Sequence, residues 1–386
     1  MNLEGELVVR LVTDGATVRS ATIRSSRPLA AARVLTGRTS RDAAALVPRL
    51  YSICARAQGA AAAAALDAAQ GRRSVVAHAA RELAVRLEAL QEGLFRLLID
   101  LPQAAGLSGE LAPVAAARRA VAAALTALDA GDDPRAVGRA AGAALAPVFE
   151  AHVHGLPAGA WLALTDAAAI DRWVATSAVP PAAVLRVLAG EAPGLGRSDV
   201  ASLPAAAAAT LAAKLLPAMD ADPAFAHAPH WQGAPAETGA LARRGAHPGL
   251  AALVARDGAT AAVRVIARLA DLAALLVALE GDTGADDRRA AEPRWVDAIA
   301  PMPGEGFATV ETARGLLVHR ARVDGDVVTA YAIVAPTEWN FGADGPLVRG
   351  LAGLAAADDA TLERRARLAV HALDPCVACR IEVGHA

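Results

Sequence analysis

Aromatic side chains make up only 3% of this 386-residue chain, and it holds just three cysteines and three methionines. With so few rings, the core must come from alanine, leucine and valine, and each alanine buries little apolar area. Lys214 is the only lysine, so arginine carries nearly all the positive charge. The formal charge is −2, which gives no electrostatic basis for binding nucleic acid or an anionic membrane. The alanine tracts Ala60 to Ala65 and Ala205 to Ala209 are short. No run reaches the roughly 18 to 20 uncharged apolar residues of a membrane span. The N-terminus, Met-Asn-Leu-Glu-Gly-Glu, lacks the apolar stretch of a secretory signal. The chain reads as a soluble, cytoplasmic protein with length for one large or two ordinary domains.

Alternation of apolar and polar residues from 5 to 24, around Thr13-Asp14-Gly15-Ala16, predicts a hairpin. Leu316 to Val334, broken at Val323-Asp324-Gly325-Asp326, predicts a second. Between them the period turns helical. Leu83, Leu87, Leu90, Leu94 and Leu97 form one stripe, and residues 259 to 280 form another. A last helix starts near Asp358-Asp359 and stops at Asp374-Pro375, because proline disfavours helix in the residue before it. Segments 102–115, 190–204 and 281–304 carry more Pro, Gly and Asp and read as loops. The expected fold is mainly α with a small β-sheet: an N-terminal hairpin (1–24), a helical core (40–300), and a C-terminal hairpin, helix and tail (305–386). All of it forms one domain, with both termini contributing strands to one sheet.

Two of the three cysteines sit in Asp374-Pro375-Cys376-Val377-Ala378-Cys379, near the end of the chain. A CxxC pair in an intracellular setting points to a metal or a redox dithiol rather than a structural disulfide. The plainer readings are a reduced surface dithiol, half of a zinc site, or, for Cys54, a buried free cysteine. His152 with His154, and His227 with His230, are closely spaced, but neither pair has a nearby cysteine or enough carboxylates for a metal. His319 and His371 read as ordinary strand and helix residues, and Glu363-Arg364-Arg365 as a solvated helix face.

Several patches, in order along the chain, resemble the large subunit of nickel–iron hydrogenases. They are Thr36-Gly37-Arg38 with Arg41-Asp42-Ala43 and Ile53-Cys54; Glu237-Thr238-Gly239-Ala240-Leu241-Ala242-Arg243; Glu311-Thr312-Ala313-Arg314-Gly315; Val323-Asp324-Gly325 through Tyr331 to Ala335-Pro336-Thr337-Glu338-Trp339-Asn340; and the tail CxxC. The resemblance implies a hydrogenase-like helical core. In that family two CxxC pairs hold a nickel–iron centre whose iron carries two cyanides and one carbonyl, and soft thiolates suit both metals. By motif, Cys376 would be a nickel-side thiolate and Cys379 a bridging one, with Cys54 on the nickel side. Arg314 would lie against one cyanide, and the Pro336-Thr337 step would present Thr337 to the other.

The departures from the family pattern are as informative. Ala57 stands where the front pair has its second cysteine, Ala61 and Ser52 replace a histidine and an arginine, and Ala32 falls on a proton-transfer glutamate. Glu382 occupies the position of a tail histidine, with His385 displaced. Three thiolates cannot build the four-thiolate site, so no nickel is expected. The pattern is similar to the HupK/HoxV-type hydrogenase expression and formation branch. That similarity implies a non-catalytic scaffold holding the iron–dicyanide–carbonyl unit transiently on the C-terminal CxxC, Cys376 and Cys379. The implied partners are the maturation chaperones that build the unit and the hydrogenase large-subunit precursor that receives it. The rival expectations are a cofactor-free protein-binding homologue and a functional nickel-dependent hydrogenase.

Overall fold

The computed structural model describes residues 5–27, 29–192, 194–280, 294–355 and 358–386. Strands β1 (Glu6–Thr13) and β2 (Val18–Ser25) form the N-terminal hairpin. Asp14 closes its turn by accepting from the backbone N–H groups of Ala16 and Thr17 at 2.9 and 2.8 Å. Leu7, Val9 and Leu11 are fully buried on one face of β1. The tail supplies β7 (Ala378–His385), which pairs with β1 in parallel, so the sheet order is β2-β1-β7.

The second hairpin belongs to a different sheet. Strands β3 (Val296–Met302), β4 (Glu305–Thr312), β5 (Gly315–Asp324) and β6 (Val327–Val334) form an antiparallel meander. This corrects the single-sheet expectation: the termini do meet, but through the tail strand and not through the 315–334 hairpin. It also corrects the loop assigned to 281–304, whose second part is β3. Pro301 and the exposed end of β3 blur its alternation; residues 281–293 lie outside the described residues. Within 102–115, too, the helix Leu111–Asp129 has already begun.

The helices follow the apolar stripes. Val75–Phe95 carries Leu83, Leu87, Leu90 and Leu94, and the stripe runs on to Leu97 in a π-turn, Arg96–Asp100. The Ala55–Ala69 helix packs against β4 and β5 with almost no side-chain volume between. A Cβ placed on Gly306 of β4 would come within 1.8 Å of the Ala65 carbonyl oxygen. Ala261–Glu280 is buried along nearly its whole length, yet it carries Arg264, Arg268 and Asp271 inward. Each is paired: Arg264 with Glu237 at 2.7 Å, Arg268 with Asp374 at 2.6 Å, and Asp271 with Arg243 at 2.6 Å. Leu111–Asp129 is long and apolar enough to cross a membrane by length and composition alone, although it holds no uncharged run of that length. It includes Arg118 and Arg119, and its buried residues Val114, Ala117, Val121 and Ala124 pack within the core cluster.

Candidate functional site

Cys54 occupies the N-cap position of the Ala55–Ala69 helix, and Cys376 follows the C-terminus of the Asp359–Leu373 helix. The two thiols, some 320 residues apart in sequence, are close enough to act on each other electrostatically. Burial pushes the Cys54 thiol up to about 12; Cys376 and Glu88 add to the rise, while Arg314 and Arg27 oppose it. At neutral pH Cys54 is therefore a thiol. A bound cation would reverse that balance, because a coordinating thiol gives up its proton.

Thr337 reaches this pair from the short helix Pro336–Asn340. Pro336 suits the first helical turn, where its missing N–H costs nothing, and it sets the backbone that presents Thr337. The Thr337 Oγ1 lies 3.0 Å from Cys376 Sγ. Next along the helix, Glu338 pairs with Arg27, both almost wholly buried. Burial works against the Arg27 charge, and the Glu338 carboxylate beside it offsets that cost.

Arg314 projects from the β4–β5 turn. That turn needs Gly315 at φ 126°, where a Cβ would strike Thr238 at 2.6 Å. Arg314 Nη2 donates to Glu92 at 3.0 Å, and its Nε is 3.6 Å from Asp374 Oδ1, beyond hydrogen-bond reach. The Nε is thus a buried donor without an acceptor. Burial opposes its charge, and the carboxylates of Asp374 and Glu92 more than offset that. Glu311, in the same motif, serves a different cation, pairing with Arg243 at 2.7 Å.

Asp374 ties the site to the core. It ends the Asp359–Leu373 helix in the left-handed region at φ 59°, an uncommon place for a residue other than glycine. Its carboxylate meets Arg96 and Arg268, each at 2.6 Å. Burial would raise its pKa, but Arg268, Arg96 and Arg314 hold it far below the usual carboxylate range. Glu88 plays a related part at the other end. It accepts from the backbone N–H groups of Arg56 and Ala57 at 2.8 and 2.9 Å, capping the helix that begins after Cys54. Desolvation raises its pKa to about 7, with Glu92 adding to the rise, against those hydrogen bonds and Arg314.

Cys379 is placed apart. It lies on β7 opposite Leu7, and its electrostatic neighbours are Glu6 and Arg367. Burial pushes its thiol up to about 11. Among the described residues no three His, Cys, Asp or Glu side chains are grouped to hold a metal. Of the residues singled out by sequence, the fold brings together Cys54, Cys376, Arg314, Pro336 and Thr337, and leaves Cys379 outside. The histidines are engaged elsewhere: His152 with Glu110, His154 with the Leu269 carbonyl, and His319 with Tyr331 and Gln58. Arg364 and Arg365, read as a solvated face, both pair with the buried carboxylate of Glu191. Sequence reasoning missed Arg27, Glu88, Glu92 and Asp374 as site residues. For Glu338 the signal was present, because it stands inside the Pro336–Asn340 motif.

Residues 214–382 match the family described as nickel-dependent hydrogenase. The chain is 32% identical over 369 residues to the hydrogenase expression/formation protein HoxV of Cupriavidus necator, covering 93% of this chain and 92% of that one. It is 31% identical over 403 residues to HupK of Azotobacter vinelandii, covering 100% of each. Among solved structures, the Ni-Fe-Se hydrogenase of D. vulgaris Hildenborough in its as-isolated oxidised state superposes with a TM-score of 0.63 at 17% identity, over 95% of this chain and 94% of that one. That last likeness speaks for the fold alone. The chain has the hydrogenase large-subunit fold and belongs to the HupK/HoxV-type hydrogenase expression/formation proteins.

Proposed function

We propose that this chain is an accessory scaffold in nickel–iron hydrogenase maturation. In this reading it holds an iron–dicyanide–carbonyl unit transiently and passes it to the catalytic large-subunit precursor. The observation that carries it is the half-buried Cys54–Cys376 pair facing Arg27, Arg314 and Thr337. Such a unit brings three ligands of its own and needs few from the protein, which suits a site with two adjacent thiols. Cys54 and Cys376 would hold it, Arg27 would offset thiolate charge, and the open Arg314 Nε–H supports the reading as a donor toward a cyanide. When bound, the unit would supply preassembled iron to the receiving subunit, not a turnover reaction here. Thr337, 3.0 Å from Cys376, orients that sulfur. Partners in this reading are the chaperones that build the unit and the large-subunit precursor, a role in keeping with the names of the relatives.

One observation favours a second reading. Cys379 lies outside the cluster, as it could in a cofactor-free homologue that only binds maturation partners. Protein co-expressed with the maturation machinery and purified without oxygen separates the two. Sub-stoichiometric iron with cyanide and carbonyl infrared bands, and no nickel, is the expected result. Iron-free protein without bands would favour the cofactor-free reading, and near-stoichiometric nickel with hydrogen uptake would overturn both.

A further inference from the structure

We propose that a cleft among the helices Ala167–Thr176, Pro180–Ala189, Pro248–Asp257 and Ala261–Glu280 binds a small monoanion with an aliphatic body. Each of the four helices packs on the next, closing a ring. The cleft takes lining residues from all four and has a volume of about 390 Å³. That lies within the roughly 300 to 1,000 Å³ of ordinary small-molecule sites, which favour gaps between helices. Leu185, Leu188, Leu195, Leu253, Val263 and Ile266 give it apolar walls, and these select the body of the ligand. None of the lining residues belongs to the thiol site, so the ligand is independent of the function proposed above.

Charge selects the head. Of the charged side chains that line the cleft, all but one are matched. Arg256 meets Asp171 at 2.6 Å and Asp257 at 2.9 Å. Glu191 is held by Arg364 and Arg365, the second at 2.9 Å. The surplus carboxylate of the first group cancels the surplus cation of the second. Arg197 is left over: among the described residues its exposed guanidinium has neither ion pair nor hydrogen bond. It is nonetheless held in place. Ser198 N–H donates to the Ala259 carbonyl at 3.2 Å and Ala261 N–H to the Leu195 carbonyl at 2.9 Å, which ties the Arg197 loop to the turn between the last two helices. In that turn Gly258 stands at φ 73°, and a Cβ there would come within 2.5 Å of Arg197 Nε. Only glycine lets the guanidinium rest so close to the backbone. A single unmatched guanidinium beside an apolar cleft fits a carboxylate on a short alkyl chain, whose two oxygens its fork can take together.

The experiment uses the full chain, with octanoate as the probe and isothermal titration calorimetry as the readout. Acetate supplies the charge without the body, and 1-octanol the body without the charge. Octanoate should bind at least tenfold more tightly than either. Arg197→Ala should weaken octanoate binding at least tenfold yet leave the melting temperature of the unliganded chain unchanged, because Arg197 has no partner to lose. Arg197→Lys should recover part of the affinity. Ala262→Phe, at a half-buried position lining the cleft, should abolish binding by filling it. Should that variant fail to fold, the two Arg197 variants still decide. No octanoate binding to the parent chain, equal affinity for acetate or 1-octanol, or an Arg197→Ala variant that binds like the parent would each overturn the proposal. None of these readouts needs metal or thiol, so failure of the iron reading would leave this site standing, and the reverse.

Discussion

Arg314 sits between two carboxylates and two thiols, and its substitution removes a cation from both. Breaking a buried, hydrogen-bonded ion pair costs about 3–5 kcal/mol. Arg314→Leu should therefore lower the melting temperature by roughly 5 °C for a chain of this size, as thermal unfolding would show. Arg314→Lys should recover part of that loss, since it keeps the charge but not the fork; equal loss in both variants would mean that geometry and not charge is at stake. Thr337→Val keeps the volume and deletes the hydroxyl beside Cys376. It should leave the melting temperature nearly unchanged while altering the alkylation rate of Cys376; an unchanged rate would remove Thr337 from the site. Arg314, Thr337 and Cys376 could be read from sequence because each stands in a short run with its neighbours. Arg27 could not: its partner Glu338 is 311 residues away, and such a pairing leaves no local pattern.

The Ala55–Ala69 helix shows how an element can place a thiol. Its N-terminus has no side-chain cap of its own; Glu88, from the Val75–Phe95 helix, satisfies two of its backbone donors. With the Glu88 pKa raised from 4.5 to about 7, the native state binds the extra proton between those values. Stability must then fall as pH rises through that window, and level off above it. The fall amounts to about 3 kcal/mol at most, because each tenfold change in proton affinity is worth about 1.4 kcal/mol. Glu88→Gln should flatten the profile between pH 4.5 and 7, measured by denaturant unfolding at several pH values. A slope that persists in the variant would assign the effect to another group. The hairpins were legible in the sequence because alternation and an Asp-Gly turn declare them. β7 was not, because a strand that follows Asp-Pro-Cys at the end of a helix looks like a tail until its partner is known.

At the scale of the molecule, Asp374 joins three distant parts of the chain: Arg96 in the π-turn that follows the first long helix, Arg268 in the buried central helix and Arg314 in the β4–β5 turn. Its carboxylate is held below the usual 3.8, so its stabilisation is complete above that value and is lost as pH falls through and below it. Asp374→Asn should be less stable at neutral pH, with a shallower acid unfolding curve than the parent; parallel curves would deny it this role. The helical body followed from periodicity, whereas the route by which the termini meet and the division into two sheets depended on long-range pairing. The alanine seam between the Ala55–Ala69 helix and β4 has a consequence for change over generations. Alanine is nearly the smallest side chain and Gly306 has none, so that contact can hardly loosen by shrinking or adjust by rotamer. The spacing is set by main chain against main chain. A helix seated in this way keeps Cys54 in place whatever stands at the next turn. Residues along that turn, Ala57 among them, can then change without moving the frame.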